Sequence, residues 1–534
     1  MSAILSADDL NDFITPSVAC IKPVENNGQG KTGGNGKKLE IEIDAEGKPM
    51  EVSKEGNTTR LQRAQISLSD CLACSGCITS SEEVLMQQHS HKEFLKALDK
   101  YKGEKTFVAS ISHQARASLS NALGISVADV DRMLIKLFVD RLGFVKVVGT
   151  GLGRRISLKQ MSQGIIDALQ SNDKDHRKPI LTSVCPGWVM YVEKTHPFLL
   201  PYMDSTKSPQ QITGLLLKRT TAAELHVRPE KVYNLSVMPC FDKKLEAARD
   251  ERDEQVDVDC VITPKEVLHM LEEMEIDLDG LLHEVSTDPS YADLSALYER
   301  VSPRCWLYPV ESWTNDEGSA SGGYAFQYLI AAMHKYAAET STGAGHLTIR
   351  KVEGRNPDIY ELELVNTDSG ETLARSAVVN GFRNIQNMVR KIKQTSEKGP
   401  EANGKGRTAL RRRRMMRSHH RRGAEVSGGN DSKQSVNLLK CELIEVMACP
   451  EGCINGGGLI SGPEDHHSAK LWVDKVLDKY WTIPNGGINT DELESWVQNW
   501  LDRFTVCSSR LLKTRFRRVE APKDNATIAM TSTW

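Results

Sequence analysis

The sequence lacks a long hydrophobic run and a basic leader. No apolar stretch approaches the roughly 20 residues that a membrane-spanning helix needs. The first twelve residues, Met1–Asp12, contain three Asp and no Lys or Arg, whereas secretory and mitochondrial signals are basic. We therefore predict a protein without a membrane span that is located in the cytoplasm, with the nucleus as a second compartment.

Nucleotide and nucleic-acid signatures are also missing. No G-x-x-x-x-G-K-[ST] occurs, so any nucleotide hydrolysis must come from a partner. Residues 401–434 hold ten Lys and Arg and three Asp and Glu, a net charge of +7 within a chain of net charge −3. A nuclear-localisation or nucleic-acid patch is one interpretation, but no aromatic residue interleaves with these arginines. We predict a basic disordered insertion over residues 395–438 and no direct nucleic-acid partner.

Cysteine, by contrast, is abundant. Twelve cysteines in a 534-residue chain without a secretory signal point to metal or redox chemistry, because structural disulfides are rare in reducing compartments. Three apolar, β-branched stretches are predicted strands that each lead into a cysteine next to a proline. They are Ile180–Val184 before Cys185, Val232–Met238 before Cys240, and Glu442–Ala448 before Cys449, with Cys453 four residues further on.

This repeated pattern predicts a site at a sheet edge. Open α/β sheets bind ligands beyond the carboxyl ends of their strands, so we expect the three strands to converge in a parallel sheet. Four thiolates would then surround one site. That number suits a zinc ion or an iron–sulfur cubane, and the pattern leaves both open.

A second cysteine group lies nearer the amino terminus. Cys71, Cys74 and Cys77 form C-x-x-C-x-x-C, which favours a cubane over zinc because zinc sites usually pair two separated cysteine or histidine units. Such an arc needs a fourth ligand from elsewhere in the chain. Cys20 is the candidate, although a lone cysteine is also commonly a buried apolar residue.

Strand and helix signals alternate from Thr106 onward, which indicates parallel sheet covered by helices. Residues 346–380 switch to period-two alternation and predict an antiparallel excursion. Helices are predicted near 324–340, 466–481 and 491–504. The fold class is therefore α/β.

Five short motifs agree with a single family. They are Ser17–Pro23, Asp70–Cys77, Thr182–Trp188, Met238–Glu246 and Met447–Cys453. Together they resemble the Nar1-type cytosolic iron–sulfur protein assembly factors, which are homologues of iron-only hydrogenases. The resemblance implies two [4Fe-4S] clusters, whose ligands are Cys20, Cys71, Cys74 and Cys77 for the first and Cys185, Cys240, Cys449 and Cys453 for the second.

The resemblance also implies the architecture. We expect an iron-only hydrogenase-like fold with two lobes of parallel sheet flanked by helices. Three parts follow along the chain: a ferredoxin-like [4Fe-4S] segment over residues 1–103 with a flexible loop at 26–60, a hydrogenase large-subunit-like domain over 104–464, and a helical small-subunit-like segment with a tail over 465–534.

Val184 distinguishes this sequence from hydrogenases. At that position hydrogenases carry the cysteine that delivers protons, and valine has no ionisable proton. Glu451 stands where hydrogenases usually have glycine and is expected to add a carboxylate near the cluster, while Lys243 keeps a hydrogenase-like position. We therefore predict a relative that holds clusters and is not an enzyme.

By resemblance, the chain serves cytosolic iron–sulfur protein assembly by carrying pre-assembled [4Fe-4S] clusters to apoproteins. The expected partners are a cytosolic scaffold, a WD40-containing targeting complex that docks through Trp534, and the apo iron–sulfur proteins. The alternatives are a hydrogenase-type redox enzyme and a zinc-structured interaction protein. The remaining cysteines lack motif spacing and are interpreted as core or incidental thiols: Cys260, Cys305, Cys441 and Cys507.

Overall fold

The computed structural model of the chain describes residues 40–43, 49–52, 58–60, 89–170, 178–249, 256–306, 308–340, 346–396, 436–462, 466–487, 490–501 and 511–519. The chain divides into two units, Met1–Glu83 and Val84–Trp534. Several predicted features lie outside the described residues, and the predictions for them stay predictions: Cys20, Cys71, Cys74, Cys77, residues 397–435 of the predicted insertion 395–438, Cys507 and Trp534. The prediction of that insertion is wrong at its two ends, because residues 395–396 belong to the helix Phe382–Ser396 and Leu438 is buried.

The first unit contains a small antiparallel sheet. Its strands are β1 (Glu40–Ile43), β2 (Pro49–Val52) and β3 (Thr58–Arg60), paired in that order. The prediction of a flexible loop over 26–60 is wrong for these three stretches. The Gly and Asn residues that suggested a loop end before Lys37, and the Glu/Ile alternation of β1 is a strand signal.

The second unit has nine strands among its described residues: β4 (Thr106–Ile111), β5 (Lys146–Gly149), β6 (Ile180–Thr182), β7 (Val232–Val237), β8 (Cys260–Ile262), β9 (Leu347–Glu353), β10 (Ile359–Asn366), β11 (Thr372–Asn380) and β12 (Leu443–Met447).

The α-helices described in this unit are α1 (His91–Lys100), α2 (His113–Leu123), α3 (Val127–Ile135), α4 (Gly151–Gln170), α5 (Pro186–Thr195), α6 (Pro209–Glu224), α7 (Asp242–Ala247), α8 (Pro264–Glu273), α9 (Leu278–Thr287), α10 (Leu294–Val301), α11 (Tyr324–Thr340), α12 (Phe382–Ser396), α13 (His466–Trp481) and α14 (Thr490–Leu501). None of the helices in the described part of the chain is both long and apolar enough to cross a lipid bilayer.

One sheet of this unit, the parallel sheet, has the strand order β5–β4–β7–β8. All of its pairings are parallel, and Ala109 of β4 lies opposite both Val147 and Leu235. Every residue of β7 is buried, as expected for a parallel strand with both faces covered. Helix α1, which falls in the predicted amino-terminal segment, packs here through Phe94, whose ring lies 5.9 Å from that of Phe144.

The other sheet, the mixed sheet, has the strand order β6–β12–β11–β10–β9. The first three strands are parallel, and β10 and β9 are antiparallel, which confirms the predicted excursion over 346–380. Trp188, Leu329 and Met388 belong to its core. The α/β fold class with two lobes is confirmed, whereas the boundaries after residues 103 and 464 stay predictions.

The prediction that all three cysteine-bearing strands share one parallel sheet is wrong. Strands β6 and β12 pair within the mixed sheet, but β7 lies in the parallel sheet. All three strands carry the same short β-branched signal, and strand propensity does not distinguish between two sheets.

Candidate metal centre

Four cysteines line one cavity of the second unit: Cys185, Cys240, Cys449 and Cys453. Cys185 is the N-cap of α5 and follows β6, Cys240 follows β7, and Cys449 follows β12. Cys453 lies on the 3₁₀ turn Gly452–Asn455. Each cysteine-bearing segment therefore leaves the carboxyl end of a strand, and the site combines segments from both sheets.

Burial keeps these thiols protonated while no metal is bound. It raises the pKa of Cys453 to about 12, and it raises the pKa values of Cys240 and Cys449 well above the ordinary range, with further increases from Asp242 and the neighbouring thiols. Metal ligation requires thiolates, so binding of a cationic group here would release protons and offset the cost of burying charge.

The chemistry of the thiols bears on the kind of metal. The four cysteines border one common space. Four cysteine thiolates are the usual ligands of an iron–sulfur cubane, so the residues present fit such a cluster. Tetrahedral zinc takes the same donor set.

Glu445 holds the mixed-sheet side of the cavity in place. This fully buried residue of β12 accepts hydrogen bonds from the Ser319 hydroxyl at 2.9 Å and from the backbone N–H groups of Gly323 and Ala325 at 3.1 and 2.9 Å. A carboxylate at the amino terminus of α11 also complements the helix dipole. These bonds fix the loop that precedes α11.

The same loop reaches the cysteines through Ser321. Its hydroxyl oxygen accepts a hydrogen bond from the backbone N–H of Cys453 at 2.9 Å. The buried carboxylate of Glu445 is therefore connected to the position of Cys453 through one short loop.

A glycine contact joins the two sides of the cavity. Gly458 donates its backbone N–H to the carbonyl oxygen of Pro239 at 3.0 Å. A Cβ on Gly456 would lie 2.5 Å from that same oxygen, closer than any side chain allows. Glycine thus lets the segment after Cys453 pack directly against the residue before Cys240.

Val184 is buried between this cavity and a neighbouring, more polar one that includes Ser112, Arg154 and Gln210. Lys243 also lines both cavities, and its ammonium nitrogen lies 2.9 Å from a carboxylate oxygen of Glu246. The aliphatic side chain of Val184 therefore forms part of the wall at the place where the two cavities adjoin.

Asp242, and not Glu451, contributes a carboxylate to the cavity lining. Glu451 has a φ of 60° and is exposed. Partial desolvation of its carboxylate, followed by the charges of Asp358 and Asp474, raises its pKa. Glu451 does not line the cavity, and the expectation that its carboxylate lies near the cluster stays a prediction. Asp242 stands inside the motif Met238–Glu246, but nothing in the sequence pattern singles it out.

Sequence reasoning also missed Glu445 and Ser321. A signal for Glu445 was present, because a lone acid in the apolar strand Leu443–Met447 must find hydrogen-bond donors once buried. Outside the site, Cys260 and Cys441 are buried and Cys305 is exposed.

Known proteins are similar to this chain in sequence and in fold. The family described as iron only hydrogenase large subunit, C-terminal domain, matches residues 105–457. The cytosolic Fe-S cluster assembly factor NAR1 of Meyerozyma guilliermondii is 48% identical over all of both chains, and that of Yarrowia lipolytica is 44% identical over 93% of this chain and 94% of the relative.

Among solved structures, a cysteine-to-histidine variant of the apo [FeFe]-hydrogenase HydA1 from Chlamydomonas reinhardtii is 20% identical with a TM-score of 0.55. It covers 80% of this chain and 99% of its own, a likeness that shows the fold alone. The extent and level of sequence identity show more. The chain belongs to the family of cytosolic Fe-S cluster assembly factors NAR1, and its residues 105–457 form the C-terminal domain typical of the large chain of iron only hydrogenases.

Proposed function

We propose that the chain is a non-enzymatic component of the cytosolic iron–sulfur protein assembly machinery. In this role it carries pre-assembled [4Fe-4S] clusters to apoproteins. The observation that carries the proposal is the gathering of Cys185, Cys240, Cys449 and Cys453 around one buried cavity. These thiols would hold one cluster, which when bound supplies an iron–sulfur cube that can be retained or passed on.

A second cluster is proposed on Cys20, Cys71, Cys74 and Cys77. The C-x-x-C-x-x-C spacing supports it, because this arc wraps three thiolates around one face of a cubane. We expect this cluster to be the more labile of the two, because three of its cysteines lie on a predicted short arc flanked by loops. Its earlier loss during chelator treatment would support that assignment, and earlier loss of the Cys185 cluster would contradict it.

Hydrogen turnover is not part of the proposed function. Val184 lies in the cavity wall. The resemblance to hydrogenases implies that their proton-delivering cysteine stands at this position, and an aliphatic side chain has no proton to transfer. Hydrogen evolution by anaerobic protein with a reduced viologen would contradict this part of the proposal.

The proposed partners are a cytosolic scaffold that supplies clusters, a WD40-containing targeting complex that docks through Trp534, and apo iron–sulfur proteins. Trp534 is a suitable docking element, because burial of a large aromatic side chain contributes strongly to binding at an interface. The proposed location is the cytoplasm, together with the nucleus.

Iron and acid-labile sulfide quantitation with electron paramagnetic resonance, on anaerobic protein, tests the proposal. We expect Cys77→Ala and Cys453→Ala each to lose about half of the iron, as two independent cubanes require. Wild-type protein that contains zinc and no sulfide would contradict the proposal.

A further inference from the structure

Asp242 places a carboxylate in the wall of the thiol cavity. The residue lies at the start of α7, two positions after Cys240, and lines the cavity. A Cβ built on Gly187 would lie 2.7 Å from Oδ2 of Asp242 and 3.7 Å from Sγ of Cys185. The carboxylate oxygen and the sulfur therefore lie close to the same point, and charges that are near each other and partly removed from water interact.

Asp242 and all four cysteines border the same cavity. Lys243 borders it as well, and its ammonium group is paired with the carboxylate of Glu246 at 2.9 Å. Asp242 therefore adds a carboxylate to the wall that surrounds the thiols.

Glu451 provides a natural contrast. It is two residues from both Cys449 and Cys453, as Asp242 is two residues from Cys240. Its carboxylate is nevertheless affected by Asp358, Asp474 and Lys470 rather than by the cavity. The two acids thus have the same sequence distance from a cysteine and different positions relative to the site.

We propose that Asp242 lowers the reduction potential of the cluster held by the four cysteines and so keeps it oxidised. This inference rests on the proposed function. One-electron reduction adds a negative charge to the bound group, and a carboxylate in the cavity wall opposes that addition. Reduction potentials of iron–sulfur centres depend on such local charge and on solvent exposure.

A redox titration of the full-length protein tests the inference, using the paramagnetic signal that is lost in Cys453→Ala. We expect Asp242→Asn to hold as much iron and sulfide as the wild type. At a fixed ambient potential it should contain about tenfold more reduced cluster, equivalent to about 59 mV for a one-electron couple. Glu451→Gln, the matched control, should titrate with the wild type.

Three results would count against specific parts of this account. Equal potentials in Asp242→Asn and wild type, or equal shifts in Asp242→Asn and Glu451→Gln, would overturn the inference and leave the proposed function standing. Loss of iron from Asp242→Asn would also overturn it, because the carboxylate would then maintain the site rather than tune it. Wild-type protein without iron and sulfide would overturn the proposed function itself.

Discussion

The mixed sheet leads into three of the cysteines that line the cavity, Cys185, Cys449 and Cys453, whereas the parallel sheet leads only into Cys240. The mixed-sheet side is also held by the buried Glu445. The parallel sheet adds Asp242 and its charge. The two sheets thus contribute different numbers of thiols, three and one, to the same site. A complete set of four thiols therefore requires both sheets in their native arrangement.

A second contrast separates the cavity cysteines from Cys260 and Cys441. Burial raises the pKa of each of these two thiols to about 12, the same value as for Cys453. Burial and protonation therefore do not identify a ligand. Cys260 begins β8 and Cys441 precedes β12, whereas the cavity cysteines follow the carboxyl ends of strands.

Removing Cys240, the one cavity cysteine that follows a strand of the parallel sheet, should have the largest effect, which is a loss of iron. We expect Cys240→Ala to lose about half of the iron, as Cys453→Ala does, because three thiolates leave a cubane one ligand short. Iron quantitation on anaerobic protein measures this. Cys260→Ala and Cys441→Ala, one control from each sheet, should retain their iron. Full iron in Cys240→Ala would show that the mixed sheet alone suffices.

Removing the carboxylate of Glu445 should destabilise the mixed-sheet side. Glu445→Ala leaves the Ala325 N–H and the Ser319 hydroxyl without their acceptor, whereas the Gly323 N–H keeps the Ser319 oxygen at 3.0 Å. We expect a loss of about 4 kcal/mol in the free energy of unfolding. Urea unfolding of cluster-free protein measures it. Glu451→Gln removes a carboxylate that does not line the cavity, and it should change the free energy of unfolding by less than about 0.5 kcal/mol.

Acid should weaken the parallel-sheet side through His89. Burial, with help from Lys244, lowers the pKa of His89 to about 4, and its Nδ1 accepts a hydrogen bond from Val261 N–H at 3.3 Å. The unfolded chain binds a proton near pH 6.5, so stability is present above that pH and is lost as pH falls towards 4.

Protonation linked to His89 should lower the free energy of unfolding by about 3 kcal/mol between pH 6.5 and 4. Unfolding of cluster-free protein at several pH values measures it, and His89→Gln should show a correspondingly smaller slope. Identical slopes in the two proteins would contradict the assignment to His89.

Replacing Val184 with alanine should have the smallest effect on the free energy of unfolding. Val184→Ala removes two methyl groups from the cavity wall and should cost about 1.5 kcal/mol in unfolding free energy, because the adjoining cavity already limits their packing. Iron content should not change, since the side chain offers no ligand atom. A loss of iron would show that the wall at this position shapes the cluster site.

Much of the local structure could be predicted from the sequence. The capping box of Thr263 and Glu266 begins α8, and Ser208 with Pro209 begins α6, because these signals depend only on neighbours in the chain. The Cys-Pro pairs after β-branched strands likewise predicted which cysteines come together. Signals from neighbouring residues in the chain were sufficient to predict these features.

Long-range packing was not predictable in the same way. Nothing local places β7 in a different sheet from β6 and β12, since strand pairing is decided by tertiary contacts. Asp242 and Glu451 have equal spacing from a cysteine, and only the fold directs one towards the cavity. Such residues require the structure, because their role depends on orientation rather than sequence position.

Iron-edge anomalous diffraction from anaerobic crystals of the full-length protein tests the central claim most directly. The account predicts a compact group of four iron peaks inside the cavity lined by Cys185, Cys240, Cys449 and Cys453, with no zinc-edge peak there. A zinc peak in that cavity, or iron that these cysteines do not reach, would contradict it.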